Sequence, residues 1–458
     1  MWHYAPTTMT MLVTYAPEYL MQPHEPLSRR NFVTTTSLLA GGLLATSAAA
    51  TEEVPLALDG GPKAVTISPP KRLRWGEPER QQLEAMLEQQ SLMYWKGPQT
   101  AQMIERFQQF CPLEHVMTCS SGTAALHIAV MAAGIEVGDE VITSPITDMG
   151  TVIGVIYQQA VPVFADLLPH TYNLDPADVE RRITPKTKAI IAVHLAGNPC
   201  DMQALRGLAD KHSLVLIEDC CQGWGARYDG RPLGTHGHFA CFSLQNSKLI
   251  TCGDGGVVAS SDPRFGPLLQ PYGDKGFLRS GGDGLFHLFA PNYRMSEPQA
   301  AVAAGQLTRL EKISATRARL GNLLSDQLAG TPGIDLHQVR DEDRCVYWFY
   351  MLRLQPEAIP DRAKFVKALA AEGVPAAAGY IPVPLYGNPV FQDHAFFQGR
   401  WPVKELGLTT MDYTQVHCPE VDAILSTGVR VLVNETMNEE YVVQLSQAIR
   451  KVAQNMAS

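Results

Sequence analysis

The chain has 458 residues, 45% hydrophobic and 18% charged, which excludes an intrinsically disordered protein and leaves room for two domains, each with its own core. A formal net charge of −9 and the lack of any Lys/Arg-rich block exclude a nucleic-acid footprint and point to a small-molecule partner. Nine cysteines without a C-x-x-C pair, several of them inside apolar runs, argue against a zinc site and against a disulfide framework; packing is their expected role.

Residues 1–50 read as a leader. Ser28-Arg29-Arg30-Asn31-Phe32-Val33 opens a stretch, Asn31 to Ala50, that carries no charge, is rich in Thr, Ser, Ala, Leu and Gly, and closes on Ala48-Ala49-Ala50. That order resembles a twin-arginine signal peptide, and its threonines and serines make it too polar for a membrane anchor. The expectation is export of an already folded protein, with any cofactor installed beforehand, to the periplasm or beyond the cytoplasmic membrane. If the leader is not functional, the protein stays in the cytoplasm. Met21 is an alternative start.

Residues 51–315 form the expected large domain. From Val116 to Ser261, short apolar runs ("HVMTC", "DEVITS", "AVPVFADL", "AIIAVHL", "SLVLIED", "FACFSL", "GGVVAS") alternate with helical patterns. This spacing predicts an α/β fold with a mostly parallel sheet covered by helices, whose ligand binds at the carboxyl ends of the strands. A helical pattern follows from Asn292 to about Leu328, and Gly330-Thr331-Pro332-Gly333 breaks it. Residues 316–458 then read as a smaller α/β domain with the strand "CVYWFYMLRL", the helix "DRAKFVKALAAEG", a Pro-rich loop from Tyr380 to Phe391, the strand "VRVLV" and a last amphipathic helix.

Three features of the large domain carry chemistry. In "TCSSGTAALHIAV" a strand ends and Ser120, Ser121, Gly122 and Thr123 open an apolar helix, the pattern of a backbone anion cup, although an ordinary helix cap has the same composition. Asp219 closes the run "LVLIED", whose first four residues are apolar, and so stands at a strand's carboxyl end, where a carboxylate needs a cation or several donors; a helix cap or an arginine partner answers that need as well as a pyridinium nitrogen does. Lys248, in "CFSLQNSKLITCGDGG", comes one strand later. Most lysines lie in water, but one at the mouth of a parallel sheet is partly desolvated and forms Schiff bases. A phosphate cup, an acid and an amine together describe a pyridoxal phosphate pocket.

These residues sit in blocks that resemble a known family. "SSGTAALHIAV", "GDEVITSPITD", "PVFADLLPHTYNLDP", "ITPKTKAIIAVHLAGNPCDM", "IEDCCQGWGARYDGRPLGTHG", "CFSLQNSKLITCGDGG" and "NYRMSEPQAA" are similar, in this order, to the DegT/DnrJ/EryC1/StrS family of pyridoxal-phosphate-dependent sugar aminotransferases. The resemblance implies the aspartate-aminotransferase-like fold, a seven-stranded type of sheet, and a homodimer with shared active sites. It also implies pyridoxal 5′-phosphate as cofactor and amino transfer from glutamate or glutamine to a keto sugar or related polyol. Lys248 matches the family's Schiff-base lysine, Asp219 the partner of the pyridinium nitrogen, and Gln222 a residue near the phenolic oxygen. Ser121, Gly122, Thr123 and Ser243 fall at the phosphate site, and Asn292 matches an asparagine that reaches the phosphate from the other subunit.

Two positions depart from the family's pattern. Asp148 falls where an aromatic residue usually stacks on the cofactor ring, with Met149 beside it as a substitute, and Trp224 stands where the family often has histidine. Trp224 either supplies the missing aromatic face or fills space beneath the pocket. Retention of Lys248 separates this chain from relatives that carry histidine there and dehydrate sugars. The alternatives are that dehydration chemistry and an inert cofactor- or sugar-sensing binding protein; a Rossmann dehydrogenase is disfavoured because no G-x-G-x-x-G follows a strand.

Overall fold

All seven apolar runs of the large domain become strands of one sheet in a computed structural model, which describes residues 54–457. The leader read over residues 1–50 lies outside the described residues. The strands are β1 (His115–Cys119), β2 (Glu140–Thr143), β3 (Val161–Phe164), β4 (Thr187–Val193), β5 (Val215–Asp219), β8 (Phe239–Ser243) and β9 (Gly256–Ser260), with a two-stranded ribbon of β6 (Arg227–Tyr228) and β7 (Arg231–Pro232) between β5 and β8. The order is β1-β9-β8-β5-β4-β2-β3. Every neighbouring pair is parallel except those of β9, which runs against both β1 and β8.

Both faces of this sheet are buried, which explains why its strands read as continuous apolar runs rather than as an alternation. Leu216 of β5, Ile190 of β4 and Phe242 of β8 pack on one side, whereas their chain neighbours Ile217, Ile191 and Cys241 pack on the other. The helices α1 (Glu77–Leu87), α2 (Pro98–Phe110), α3 (Gly122–Ala132), α4 (Gly150–Tyr157), α5 (Pro176–Arg182) and α6 (Met202–His212) accompany it. α3 is apolar on nearly all sides and is buried along almost its whole length.

The helical pattern after Asn292 divides into α7 (Glu297–Leu307) and α8 (Leu310–Leu328), with the break at Thr308-Arg309. The second sheet is antiparallel, in the order β10-β11-β13-β12, and consists of β10 (Ile334–Asp335), β11 (Tyr350–Leu354), β12 (Ala376–Ala378) and β13 (Gly428–Val431). Its core takes in Leu56 and Val65 from the start of the described chain and Leu445, Ile449 and Val452 of the last helix, Glu439–Met456. Leu385, Phe391, Trp401, Tyr413 and Val421 instead join the core of the large sheet.

The predicted strand "CVYWFYMLRL" is only half a strand. Its first residues leave the small sheet and hydrogen-bond to the turn that follows β4 of the large sheet, Val346 N–H to Gly197 O at 3.2 Å and Trp348 N–H to Ala196 O at 2.7 Å. All nine cysteines are free thiols, and all but Cys252 are buried. Among the described residues no helix is long and apolar enough to cross a membrane.

Candidate active site

A cavity of about 290 Å³ opens at the carboxyl ends of β1, β5 and β8. Ser121, Gly122, Thr123, Asp219, Gln222, Ser243 and Lys248 all line it. The β5–β8 pairing, with Asp219 opposite Cys241, puts the end of β5 beside the loop that carries Lys248.

One end is the start of α3. Ser121, in extended conformation at the N-cap, accepts the Ala124 N–H at 3.0 Å, and the N–H groups of Gly122 and Thr123 take no partner among the described residues. Two free amides at the positive end of a helix dipole form an anion site. Side chains are held clear of it: a Cβ on Gly122 would lie 2.7 Å from Ser243 Cβ and 2.8 Å from Cys221 Sγ, and one on Gly150 would lie 2.5 Å from Thr123 Oγ1.

The floor is Asp219, 5% exposed. Its Oδ2 accepts from Thr151 Oγ1 at 2.9 Å, and Thr151 is 2.7 Å from Thr147 Oγ1; Oδ1 accepts the Cys221 N–H at 3.1 Å. Burial, reinforced by Asp219, raises the Cys221 thiol well above its usual range, so Cys221 lines the cavity as a neutral thiol and not as a nucleophile.

Next to Asp219, the fully buried Glu218 accepts the N–H groups of Gly234, His236 and Gly237 and lies 3.2 Å from His194 Nε2. Burial pushes its carboxyl up, but the His194 ring and these amides more than reverse that, leaving it below the usual carboxylate range. His194, Glu218 and Cys220 bring ligand atoms within 4.8 Å of one another. Glu218 is already saturated with donors and His194 Nδ1 accepts the Cys200 N–H, so the cluster is a hydrogen-bonded anchor for the end of β5.

Lys248 is 8% exposed, and its Nζ lies 4.1 Å from the ring centroid of Trp348, with no hydrogen bond or ion pair among the described residues. Trp348 Nε1 donates to Ser247 O at 2.9 Å, so ring and lysine loop are fastened together. From the other side the Arg74 guanidinium donates to the carbonyls of Asn246 and Lys248; burial and the nearby Arg72 lower its pKa to about 10.

Ala196 ties these parts to Gln222. It adopts left-handed backbone (φ 58°), its N–H donates to Gln222 Oε1 at 2.7 Å, and its carbonyl accepts from Trp348. Gln222 Nε2 is 3.5 Å from Tyr380 Oη, whose pKa burial raises with help from Asp148 and Asp219.

Met149 and Asn292 do not line the cavity. Met149 precedes α4 and packs on the core, whereas the residues on either side of it, Asp148 and Gly150, face the site. Asn292 Oδ1 accepts from Arg294 Nε at 2.8 Å. Asp148 makes a local turn, with Oδ1 accepting the Gly150 N–H at 2.8 Å. Trp224 fills space beneath the pocket: it is fully buried against Phe107, Phe110 and Phe242, and its Nε1 donates to Ser243 O. The aromatic face that sequence reasoning missed is Trp348, which local pattern marks only as part of a strand.

The profile of the DegT/DnrJ/EryC1/StrS aminotransferase family matches residues 74–406. The chain belongs to this family. GDP-perosamine synthase of Caulobacter vibrioides is 35% identical to it over 285 residues, 60% of this chain and 75% of that protein. L-glutamine:2-deoxy-scyllo-inosose aminotransferase of Streptomyces kanamyceticus is 35% identical over 316 residues, 65% of this chain and 72% of that protein. The structure of the aminotransferase from Psychrobacter cryohalolentis superposes with a TM-score of 0.73 at 28% identity, covering 85% of this chain and 99% of that one.

The aminotransferase cofactor is pyridoxal 5′-phosphate, and the cavity fits it. The two free amides of α3, in a cradle that any Cβ on Gly122 would fill, suit a phosphate. The Asp219 carboxylate suits a protonated ring nitrogen, and Lys248 is the amine between them. The protein is a pyridoxal-phosphate-dependent aminotransferase.

Proposed function

We propose that this aminotransferase moves an amino group from glutamate or glutamine to a keto sugar or related cyclic polyol. The observation that carries the reading is the convergence in one cavity of a helix-terminus anion site, the buried Asp219 carboxylate and the buried Lys248 amine. The sugar and cyclitol substrates named for the two 35%-identical relatives support the acceptor class.

When bound, the cofactor supplies an electrophilic carbon and a ring that takes up the electron pair left by a departing C–H proton. The protein's own groups do the rest. The Gly122 and Thr123 amides would hold the phosphate, and Asp219, fixed by Thr151 and the Cys221 N–H, would supply the carboxylate for the ring nitrogen. Lys248 Nζ would supply the amine that tethers the cofactor and, when free, would act as base and acid for the proton of the substrate's reacting C–H bond. Trp348 offers that ammonium an aromatic face without neutralising it by a carboxylate.

We further propose a homodimer with shared active sites. In support, Asn292 lies away from the cavity of its own chain, and the segment just before it exposes apolar side chains, Phe289 at 99% and Leu285 and Phe286 at 61% and 62%. Export by the twin-arginine route is proposed on Arg29-Arg30 and the uncharged stretch that follows.

The test is the half-reaction. Protein loaded with pyridoxal phosphate is expected to show a near-visible absorbance band that shifts when glutamate or glutamine is added, and to aminate a keto sugar afterwards. A band that no amino donor shifts contradicts the proposal and favours the inert binder.

A further inference from the structure

The loop that carries Lys248 is held by side chains rather than by its own backbone. The carbonyls of Asn246, Ser247 and Lys248 accept no backbone N–H among the described residues. Each takes a side-chain donor from a distant part of the chain instead. Trp348 Nε1 donates to Ser247 O at 2.9 Å, and the carbonyls on either side of it share one guanidinium, Arg74 Nη1 donating to Asn246 O and Nη2 to Lys248 O. A planar fork spans two carbonyls at once, whereas an ammonium is a point donor.

Arg74 is in turn fixed from behind. Its own carbonyl accepts from Gln306 Nε2 at 2.7 Å and from Arg309 Nη2 at 2.8 Å, and both of those side chains also donate to the buried Glu79 carboxylate. Gln306 Oε1 accepts the Thr251 N–H at 3.2 Å, so one glutamine ties the far end of the lysine loop to the segment that brings Arg74. Two residues before Arg74, Arg72 pairs with Glu435 at 2.6 Å. The Arg74 guanidinium itself forms no ion pair among the described residues, and with a pKa of about 10 it stays charged at neutral pH. A half-buried cation whose hydrogen bonds go to neutral carbonyls breaks the usual pairing rule, as functional sites do.

We propose that Arg74 is a positioning residue for Lys248, its fork holding the loop backbone still while the lysine side chain alternates between tether and free amine. This rests on the reading of Lys248 as the tethering amine. A side chain that must leave its partner and return to the same place needs a backbone fixed independently of that partner, because small misplacements of a reacting group cost rate steeply. Arg74 and Trp348 supply that fixation on three successive carbonyls, and Gln306 closes the loop's other end.

Stopped-flow absorbance on wild type, Arg74→Ala and Arg74→Lys tests this, after melting curves establish that each is folded. Two rates are read: the appearance of the near-visible band when cofactor-free protein meets pyridoxal phosphate, and the shift of that band when loaded protein meets glutamate or glutamine. Arg74→Ala is expected to slow both roughly 10- to 100-fold, with the half-saturating donor concentration within about threefold of wild type, and Arg74→Lys to fall between. Millimolar methylguanidinium is expected to speed Arg74→Ala by about threefold or more and methylammonium at the same concentration to leave it slow, a difference that a general loss of stability does not produce. Both rates within about twofold of wild type in Arg74→Ala, or a slowed Arg74→Ala that methylguanidinium does not restore, overturns the proposal. Should Arg74→Ala not fold, Arg74→Lys decides, rates equal to wild type being the contrary result. If no donor shifts the band of wild type, the amino-transfer reading falls and the first rate alone decides on Arg74. A borohydride-trapped wild-type adduct on a lysine other than Lys248 overturns both.

Discussion

Lys248 Nζ lies 4.1 Å from the ring centroid of Trp348, and the indole N–H of that same tryptophan holds the carbonyl of Ser247. The contact joins the lysine loop after β8 of the large sheet to the segment that leads into the small sheet. A cation held against an aromatic face is stabilised by about 1–2 kcal/mol when partly desolvated. Trp348→Ala is therefore expected to lower kcat/KM about 10-fold, with Trp348→Phe nearer to wild type. Steady-state kinetics on the two variants checks this; equal activity in Trp348→Ala shows the contact to be incidental.

The Asp219 carboxylate has two fixed hydrogen bonds and one expected cationic partner. Removing one member of a buried charged pair costs about 3–5 kcal/mol. Asp219→Asn is expected to reduce turnover by roughly 100- to 1,000-fold, since the amide cannot keep a ring nitrogen protonated. Thr151→Val deletes only the 2.9 Å hydrogen bond to Oδ2 and is expected to cost about 1 kcal/mol, a loss of about fivefold. Equal losses in the two variants point to a purely structural role for Asp219.

At the phosphate end, Gly122→Ala is the sharpest perturbation. The added Cβ meets Ser243 Cβ at 2.7 Å and Cys221 Sγ at 2.8 Å, both on buried residues that have little room to yield. Overpacking of this kind costs about 1–3 kcal/mol, and here it falls on the cradle itself. Cofactor affinity, read by absorbance titration, is expected to fall about 10-fold or more, and the melting temperature of the cofactor-free protein to fall by a few degrees.

The strands of the large sheet were legible because burial of both faces forces continuous apolar runs, and the ends of those runs marked where Asp219 and Lys248 emerge. The α3 cup was legible because Ser121-Gly122-Thr123 combines a cap with a residue lacking Cβ. What local pattern did not disclose came from distant contacts. Trp348 sits in a run that looks like strand, but backbone hydrogen bonds to Ala196 and Gly197 pull its first half across to the large sheet. Met149 was expected at the cofactor ring, but the turn that Asp148 makes with the Gly150 N–H leaves Met149 packed on the core. Trp224 had two readings in sequence; its burial against Phe107, Phe110 and Phe242 decides for space-filling.

Two buried histidines give the fold an acid-sensitive side. Burial lowers both His127 and His337 from 6.5 to about 4, and neither nitrogen of His337 has a partner among the described residues. Between those values the unfolded chain binds protons that the folded chain refuses, so their contribution is complete above pH 6.5 and is lost as pH falls toward 4. Between pH 7 and 5 the expected loss is about 2 kcal/mol per histidine. Denaturant unfolding at the two pH values checks it, and His337→Phe, which keeps the ring among Tyr172, Tyr347 and Tyr350, is expected to remove about half of the difference. A pH-independent midpoint contradicts this account.

The claim on which the rest depends is that the cofactor is tethered through Lys248. Borohydride reduction of the cofactor-loaded protein, followed by peptide mass spectrometry, tests it directly. The reduced cofactor is expected on the peptide containing Lys248 and absent from a Lys248→Ala variant. An adduct on another lysine, or one that persists in Lys248→Ala, contradicts the account.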